Sequence, residues 1–314
     1  MQLDPSQPHI AFIGLGVMGR PMAINLARAG FPVRGFDVNP AAMEAVAAAG
    51  VTPAASPADA ARGAGVLISM VVNDAQTREV LFETGKAAAA LAPGATVIGM
   101  STMSRAAVIE IAARLAERGL RYIDAPVSGG EIGAQQATLS IMVGAPADVL
   151  EAHLPVLRAM GKHIYHIGER PGDGQAMKMI NQLLVCIHNA AAAEALVFAH
   201  KLGLDAALVF EVIGNSAGNS WMFQNRGARM IARAFEPPKS ALSILVKDIG
   251  IVMSEANAAR HPLVLGGLTQ QLYHLAAAQG WSHLDDAILI RLMERLAGMD
   301  AATQDARRET QDAS

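Results

Sequence analysis

Residues 9–30 read "HIAFIGLGVMGRPMAINLARAG" and carry the strongest fold signal in the chain. The first part, "HIAFIGLG", is a short run rich in strand-forming residues. The following "MGRPMAINLARAG" has helical spacing of its apolar residues and ends at Gly30. Between them, Gly14, Gly16 and Gly19 form the pattern G-x-G-x-x-G. The pattern alone is a weak signal, but after a strand and before a helix it indicates a dinucleotide-binding βαβ unit.

Each glycine of this turn has a separate physical task. The first allows the tight turn, the second lets the backbone approach a pyrophosphate, and the third lets the helix pack on the strand. The helix N-terminus then faces the anion. We therefore expect the whole turn to bind the cofactor through Gly14, Leu15, Gly16, Val17, Met18 and Gly19.

The choice of cofactor depends on Asp37, which stands at the end of the next predicted strand, eighteen residues past Gly19. A carboxylate at this place accepts hydrogen bonds from the ribose hydroxyls of NAD. Neither Val38 nor Asn39 offers a cation for the 2′-phosphate of NADP. The sequence therefore predicts NAD as the cofactor.

The first half of the chain alternates predicted strands and helices. Further strands are predicted at "PVRGFD", "GVLISMVV", "ATVIGM" and "HIYHIG", and helices at "PAAMEAVAAAG" and "SRAAVIEIAARLAERG", the latter with Ser104 as N-cap. After Gly168 the strand signals end and helical patterns follow. We predict an α/β, Rossmann-type doubly wound parallel sheet as an NAD-binding domain over 1–170. An all-helical substrate and oligomerisation domain is predicted over 171–314.

Composition excludes several classes of protein. The net charge of -3 gives no basic surface for nucleic acid. The single cysteine, Cys186, excludes an internal disulfide and is expected in the core. We find no signal peptide, no spacing typical of a metal site and no uninterrupted membrane span, so a cytoplasmic protein without a metal, membrane or nucleic-acid partner is expected.

One helix raises a question of its own. Residues 172–200, "GDGQAMKMINQLLVCIHNAAAAEALVFAH", are long, apolar and rich in alanine, yet they contain Lys178 and Asn181. Burying an unpaired ammonium is costly, and residues three apart share one helix face. The same polar face is expected to continue through Gln182, His188 and Asn189. An otherwise buried helix is thus expected to expose one polar stripe, and the pattern alone leaves open what the stripe faces.

Four motifs together resemble the β-hydroxyacid dehydrogenases, the group that includes 3-hydroxyisobutyrate dehydrogenase. They are "GLGVMGRPMAINL" at 14–26, "DAPVSGGEIGAQQATLSIMVG" at 124–144, "GQAMKMINQLL" at 174–184 and "LVKDIGI" at 245–251. "MINQLL" with "SAGNSWMFQNR" at 216–226 is most similar to the branch acting on L-threonate. One departure is Gln182, because many members carry two asparagines where this chain has Asn181 and Gln182.

The resemblance implies a role for each matching residue. Lys178 is the implied catalytic lysine and Asn181 holds the substrate beside it. Thr102 and Lys247 touch the cofactor near its nicotinamide. The substrate carboxylate is bound by Ser128, Gly129 and Gly130. In "PVSGG" the hydroxyl and the backbone N–H groups left open by two glycines suit an anion, although such residues also form ordinary turns.

The chemistry of an alcohol oxidation fits these roles. The cofactor takes the hydride, and a lysine whose ammonium form is disfavoured by burial takes the hydroxyl proton. The alternative for Lys178 is an ammonium that reaches solvent.

The expected activity is NAD-dependent oxidation of a small hydroxy acid, with L-threonate at C2 as the specific expectation. A 3-hydroxyisobutyrate dehydrogenase, a tartronate semialdehyde reductase and a catalytically silent assembly module remain alternatives. Relatives pair through their helical domains, so a homodimer or homotetramer is expected. The role of 216–226 stays open, apart from Trp221 and Phe223, which are expected to pack between helices.

Overall fold

The computed structural model describes residues 9–299, so the outer ends of the two predicted domains lie outside it. The chain forms two compact units, Met1–Lys178 and Met179–Ser314. One helix, Asp173–Lys201, begins in the first unit and continues into the second. The predicted domain limits stay a prediction, because this helix belongs to both units.

Nine strands in the described part of the first unit form one sheet. In chain order they are β1 (Ile10–Ile13), β2 (Val33–Phe36), β3 (Thr52–Pro53), β4 (Val66–Ser69), β5 (Thr96–Gly99), β6 (Arg121–Asp124), β7 (Val127–Ser128), β8 (Leu139–Gly144) and β9 (Gly161–Gly168). The strand order is β3-β2-β1-β4-β5-β6-β8-β7, and β9 pairs with β8. The central strands are buried on both faces, as continuous apolar runs such as "IAFI" of β1 predict. The Rossmann-type prediction is confirmed.

Two strands, β8 and β9, run opposite to the others and so depart from the expected all-parallel sheet. β8 is antiparallel to β6 and to β7, and β9 is parallel to β8. Only residues 129–138 separate β7 from β8, which is too short for a parallel crossover of about a dozen residues or more. The strands β3, β6, β7 and β8 are also additions to those predicted from the sequence.

The helices of the first unit cover the sheet. They are α1 (Gly19–Arg28), α2 (Pro40–Ala47), α3 (Pro57–Ala61), α4 (Asp74–Leu81), α5 (Ala87–Ala90), α6 (Arg105–Ala116), α7 (Gly130–Gln135) and α8 (Ala147–Arg158). The Ser104 side chain accepts a hydrogen bond from Ala107 N–H, which confirms it as the N-cap of α6. Two clusters of buried apolar residues fill this unit, centred on side chains such as Phe12 and Leu67.

The second unit is helical throughout its described part. Its helices are the continuation of α9 (Asp173–Lys201), then α10 (Ala206–Gly214), α11 (Ala228–Ile231), α12 (Leu242–Ala258), α13 (Val264–Ala278) and α14 (Leu289–Leu296). A π-helical turn, Phe223–Gly227, precedes α11, and two short 3₁₀ turns precede α14. Cys186 is fully buried in this core, as expected.

The helix α9 has the length and composition of a membrane span. Its most apolar window has a mean hydropathy of 1.5, and 44% of that window is buried. Buried core helices of this length pass the same test, so the property is a weak indication of a membrane.

Candidate active site

In the glycine turn between β1 and α1, neighbouring backbone atoms crowd Gly14 and Gly19 but leave Gly16 open. A Cβ atom on Gly14 would lie 2.5 Å from the Met70 carbonyl oxygen, and one on Gly19 would lie 1.8 Å from the Gly14 carbonyl oxygen. Gly14 also has φ +94°, which L side chains rarely adopt. By contrast, a Cβ on Gly16 would meet nothing within 4 Å. The turn therefore leaves its backbone open at Gly16, and it fits a pyrophosphate there.

Asp37 lies directly beside this turn. Its Oδ2 accepts a hydrogen bond from Leu15 N–H at 2.6 Å, and its Oδ1 accepts one from Asn39 N–H at 2.8 Å. The Leu15 amide is thus used inside the protein rather than by a phosphate. Among the described residues, the amides of Gly16, Val17 and Met18 donate to no protein acceptor. Each carboxylate oxygen keeps a second lone pair, so Asp37 can support the turn and still accept from a ribose.

The carboxylate of Asp124, at the end of β6, holds the N-terminus of α9. Its Oδ2 accepts from Gly172 N–H and from Gln175 N–H, each at 2.9 Å, and its Oδ1 accepts from Gln175 Nε2 at 3.0 Å. Asp124 is completely buried, and this burial raises its pKa to about 7 despite the hydrogen bonds. The start of α9 is thereby fixed to the sheet.

Gln175 extends the same network to the loop after β5. Its Nε2 also donates to the Ser101 carbonyl oxygen at 2.9 Å, and its Oε1 accepts from Met103 N–H at 3.1 Å. Thr102, predicted to touch the cofactor, lies between these two residues and is half-buried. Gln175 therefore fixes the backbone on both sides of Thr102.

Lys178 lies in the second turn of α9 and is 6% exposed. Its Nζ donates to the Val127 carbonyl oxygen at 2.7 Å. The alternative of an ammonium that reaches solvent is therefore wrong. Because Val127 immediately precedes Ser128, this bond brings the predicted catalytic lysine to the predicted carboxylate-binding segment.

The segment from Ser128 to Gly130 turns the chain from β7 into α7. Gly129 has φ +133° and Gly130 has φ +61°, conformations that favour glycine. A Cβ atom on Gly129 would lie 3.2 Å from Leu139 Cδ2. The two glycines therefore leave the backbone of this turn without side chains of its own beyond Ser128.

In the second unit, the predicted residues Asn181 and Lys247 belong to one hydrogen-bonded chain. Asn181 Nδ2 donates to Gln182 Oε1 at 2.8 Å, and Gln182 Nε2 donates to Asp248 Oδ2 at 2.5 Å. Lys247 Nζ donates to Asp248 Oδ1 at 2.6 Å. Gln182 and Asp248 are buried, whereas Asn181 and Lys247 are partly exposed.

The polar stripe predicted for α9 does not continue to Asn189. That residue is fully buried, and its Nδ2 donates to Tyr273 Oη at 2.9 Å and to the Asp286 carbonyl oxygen at 3.1 Å. Asn189 therefore joins helices in the core, and the expectation that it belongs to an exposed polar stripe was wrong. His188 is half-buried.

The segment 216–226 contains one wrong expectation. Phe223 is buried and stacks on Phe210 with ring centroids 5.5 Å apart, but Trp221 is 55% exposed. Residues two apart on a helix point to nearly opposite sides, so packing Phe223 inward turns Trp221 outward. Arg226 ends the segment in a bidentate pair with the carboxylate of Asp286, at 2.6 and 2.9 Å.

Three buried residues of these networks were not singled out from the sequence: Asp124, Gln175 and Asp248. Gln182 was expected on the polar face of α9, but its bond to Asp248 was not predicted. A usable signal existed for the two carboxylates. Asp124 ends the apolar run before "APVSGG", and Asp248 stands within the apolar "LVKDIGI". A charged residue in an apolar segment is costly unless paired, which marks both positions as network members.

Two known families match consecutive parts of this chain. Residues 9–168 match the NAD binding domain of 6-phosphogluconate dehydrogenase. Residues 172–293 match the family described as the NAD-binding domain of NADP-dependent 3-hydroxyisobutyrate dehydrogenase. Together the matches cover the glycine turn, the Lys178 helix and Lys247.

Individual relatives match over nearly the whole chain. L-threonate dehydrogenase of Cupriavidus necator is 39% identical over 284 residues, covering 90% of this chain and 95% of that protein. The 2-hydroxy-3-oxopropionate reductase of Escherichia coli is 36% identical, covering 92% and 98%. A crystal structure of 3-hydroxyisobutyrate dehydrogenase from Salmonella typhimurium has a TM-score of 0.87 at 38% identity, covering 91% and 100%.

Proposed function

This chain belongs to the β-hydroxyacid dehydrogenase family and is an NAD-dependent hydroxyacid dehydrogenase, and we propose that it oxidises L-threonate at C2 to 2-dehydro-L-erythronate. The observation that carries the proposed chemistry is the bond from Lys178 to the Val127 carbonyl, beside Ser128. The choice of L-threonate is supported by the relative that acts on it.

Lys178 is the proposed acid–base group. When bound, NAD accepts the hydride from C2 of the acid. The C2 hydroxyl must lose its proton as the carbonyl forms, and the Lys178 amine accepts it. Lys178 and Asn181 are three apart on one continuous helix and so share a face. Asn181 is therefore proposed to hold the substrate next to the lysine, and Thr102 and Lys247 to touch the cofactor.

The turn of Ser128, Gly129 and Gly130 is proposed to bind the substrate carboxylate. An acid should then be oxidised far better than an uncharged polyol of the same length. The variant Gly129→Ala should raise KM for the acid strongly, because it forces a side chain onto φ +133°. Both effects are measured by steady-state kinetics with NAD.

Gly133→Ala is the matched control for this test. A Cβ atom on Gly133 meets the same Leu139 Cδ2 atom at 3.2 Å, but the backbone there is ordinary helix. Its KM should stay close to the wild-type value. Equal turnover of the acid and its polyol analogue would contradict the proposal that this turn binds the substrate carboxylate.

Asp37 should give a preference for NAD over NADP, because its charge would meet the 2′-phosphate with the same sign. We expect kcat/KM for NAD to exceed that for NADP by more than about tenfold, or about 1.4 kcal/mol of transition-state binding. Asp37→Ala should lower the ratio of kcat/KM for NAD to kcat/KM for NADP. Asp148→Ala, at an exposed position, should leave this ratio unchanged. A tenfold preference for NADP would overturn this assignment, and the match to an NADP-dependent family makes the comparison informative.

Two other substrates are the runners-up. One relative is a reductase of 2-hydroxy-3-oxopropionate, which is also called tartronate semialdehyde. A structural neighbour is described as 3-hydroxyisobutyrate dehydrogenase. A panel of L-threonate, 3-hydroxyisobutyrate and tartronate semialdehyde, followed by NADH absorbance at 340 nm, decides among them. A higher kcat/KM for either runner-up would displace L-threonate.

The remaining proposals concern partners and location. We propose a cytoplasmic enzyme with a small hydroxy acid as its partner, without nucleic acid, membrane or metal. A homodimer or homotetramer through the helical unit is supported by exposed apolar side chains on its helices, among them Phe198, Leu208, Val212, Leu265 and Leu268. Light scattering at assay concentration tests this, and a monomer mass would exclude it.

A further inference from the structure

We propose that Gln175 is a positioning residue: it aligns Lys178 with the loop expected to hold the nicotinamide end of the cofactor, and so sets the rate of hydride transfer. The inference rests on the proposed function, which assigns Thr102 to the cofactor and Lys178 to the proton. It deepens that function by naming the side chain that joins the two groups.

The chain of contacts begins at the glycine turn. The Met70 carbonyl oxygen lies so close to Gly14 that a Cβ atom on this glycine would stand 2.5 Å from it. The carbonyl oxygen of the next residue, Val71, accepts a hydrogen bond from Ser101 Oγ at 2.7 Å. Ser101 is 2% exposed, and a bond in such a water-poor environment is strengthened. The loop after β4 therefore ties the expected pyrophosphate site to the segment that contains Thr102.

Gln175 carries these contacts on to α9. Its side chain is fully buried. Its Nε2 donates to the Ser101 carbonyl oxygen at 2.9 Å and to Asp124 Oδ1 at 3.0 Å, and its Oε1 accepts from Met103 N–H at 3.1 Å. Lys178 follows three residues later on the same face of the helix. One side chain thus joins the loop after β5 to the turn of α9 that carries the lysine.

The Gln175 amide has one orientation that satisfies these partners. The Ser101 carbonyl can only accept a hydrogen bond and the Met103 N–H can only donate one, so Nε2 must face the first and Oε1 the second. A reversed amide would set two oxygens against each other and leave a buried N–H without an acceptor, which is costly. Neither methionine nor an ionised glutamate offers this donor and acceptor together.

The alignment affects the rate because oxidation removes a hydride and a proton from one substrate. The proton goes to Lys178, so the substrate must meet both acceptors at once. A misplacement of about 1 Å can lower the rate by about 10²-fold. Loss of the Gln175 side-chain bonds leaves the start of α9 on the sheet, since the Gly172 and Gln175 N–H groups still donate to Asp124 Oδ2. The fold should therefore survive while the alignment loosens.

The first test measures hydride transfer directly in Gln175→Met. NADH absorbance at 340 nm is followed in a single turnover, with saturating NAD and the hydroxy acid that the wild type oxidises fastest. The rate should fall by about 10- to 100-fold, and deuterium on the oxidised carbon should slow it further. The NAD dissociation constant should stay within about threefold, because the pyrophosphate turn is untouched. Gln175→Glu keeps the acceptor for Met103 but lacks the NH₂ group, and it should also slow this step.

Hydrogen exchange gives a second readout that does not depend on activity. In the protein without cofactor, the Met103 amide should exchange at least about tenfold faster in Gln175→Met than in the wild type, because its acceptor is lost. Asn189→Leu is the matched control, since it also removes a fully buried amide, one that joins helices in the core of the second unit. Both variants should lose about 2 to 10 °C in Tm. Asn189→Leu should nevertheless keep the wild-type hydride-transfer rate and the wild-type exchange of Met103.

A double-mutant cycle shows whether Gln175 acts through Lys178. In a Lys178→Met background, Gln175→Met should slow hydride transfer by less than about threefold more, because residues that act together give non-additive effects. Four results would overturn the inference: a wild-type hydride-transfer rate in Gln175→Met, a loss confined to NAD affinity, equal slowing in Asn189→Leu, or full additivity with Lys178→Met. Failure of the proposed function would look different, because Lys178→Met itself would then keep the wild-type kcat.

Discussion

Replacing Lys178 with methionine is expected to lower kcat for the hydroxy acid by about 10²- to 10⁴-fold, the usual contribution of a positioned acid–base group. Methionine keeps the length and the apolar stem of lysine but has no proton to accept or donate. It is a good helix former, and it removes the cost of burying an amine that is 6% exposed. The fold should therefore stay intact while the chemistry is lost.

Three measurements separate catalysis from structure in this variant. Thermal unfolding should show an unchanged or slightly higher Tm. NAD affinity should remain close to that of the wild type, because the pyrophosphate is expected at the turn from Gly14 to Gly19. The wild-type oxidation rate should rise with pH as the amine loses its proton, and the variant should lack this rise. Lys201→Met, at the exposed end of the same helix, should behave as the wild type.

A variant with wild-type kcat would show that Lys178 has only a structural role. The proton would then have to leave through another group, and His188 on the same helix would be the next residue to replace. Loss of NAD affinity together with kcat would instead indicate that the substitution disturbs the cofactor site. The pH profile distinguishes these results, because only the loss of an acid–base group removes its pH-dependent limb.

Local patterns allowed the cofactor turn to be predicted from the sequence. A strand, a glycine turn and a helix lie within 22 residues at 9–30, and each has its own signature. The contact between Asp37 and Leu15 could not be predicted in the same way. It depends on the parallel register of β1 and β2, in which Ile13 pairs with Phe36. The sequence predicts that strands exist but leaves their register open.

The parts of the site that were missed depend on contacts distant in sequence. Lys178 reaches Val127 across 51 positions, and Gln182 reaches Asp248 across 66. The strand β6, "RYID", is only four residues long and begins with arginine, so its pattern is too short to identify. Without β6, the place of Asp124 at the start of α9 could not be derived.

The same carboxylate should make the stability of the protein depend on pH. Burial raises the pKa of Asp124 from 3.8 to about 7 in the folded state. Below pH 3.8 the group is protonated in both states and has no effect. As the pH rises toward 7, the unfolded chain ionises while the folded protein keeps its proton, so stability is lost across this window. A difference of about three pKa units corresponds to about 4 kcal/mol.

Asp124→Asn removes this titration while keeping the size of the side chain. The variant has its own constant cost, because its NH₂ group meets N–H donors such as those of Gly172 and Gln175. That cost does not vary with pH. The change with pH in the difference between the unfolding free energies of variant and wild type therefore reports only the protonation of Asp124.

Urea unfolding at pH 4 to 8 should show this difference changing by about 4 kcal/mol in favour of the variant as the pH rises. The exposed Asp148→Asn should show no such change. If the unfolding free energies of Asp124→Asn and the wild type change with pH in parallel, Asp124 is ionised throughout this range. The hydrogen bonds from the amides at the start of α9 would then be sufficient to stabilise a buried negative charge.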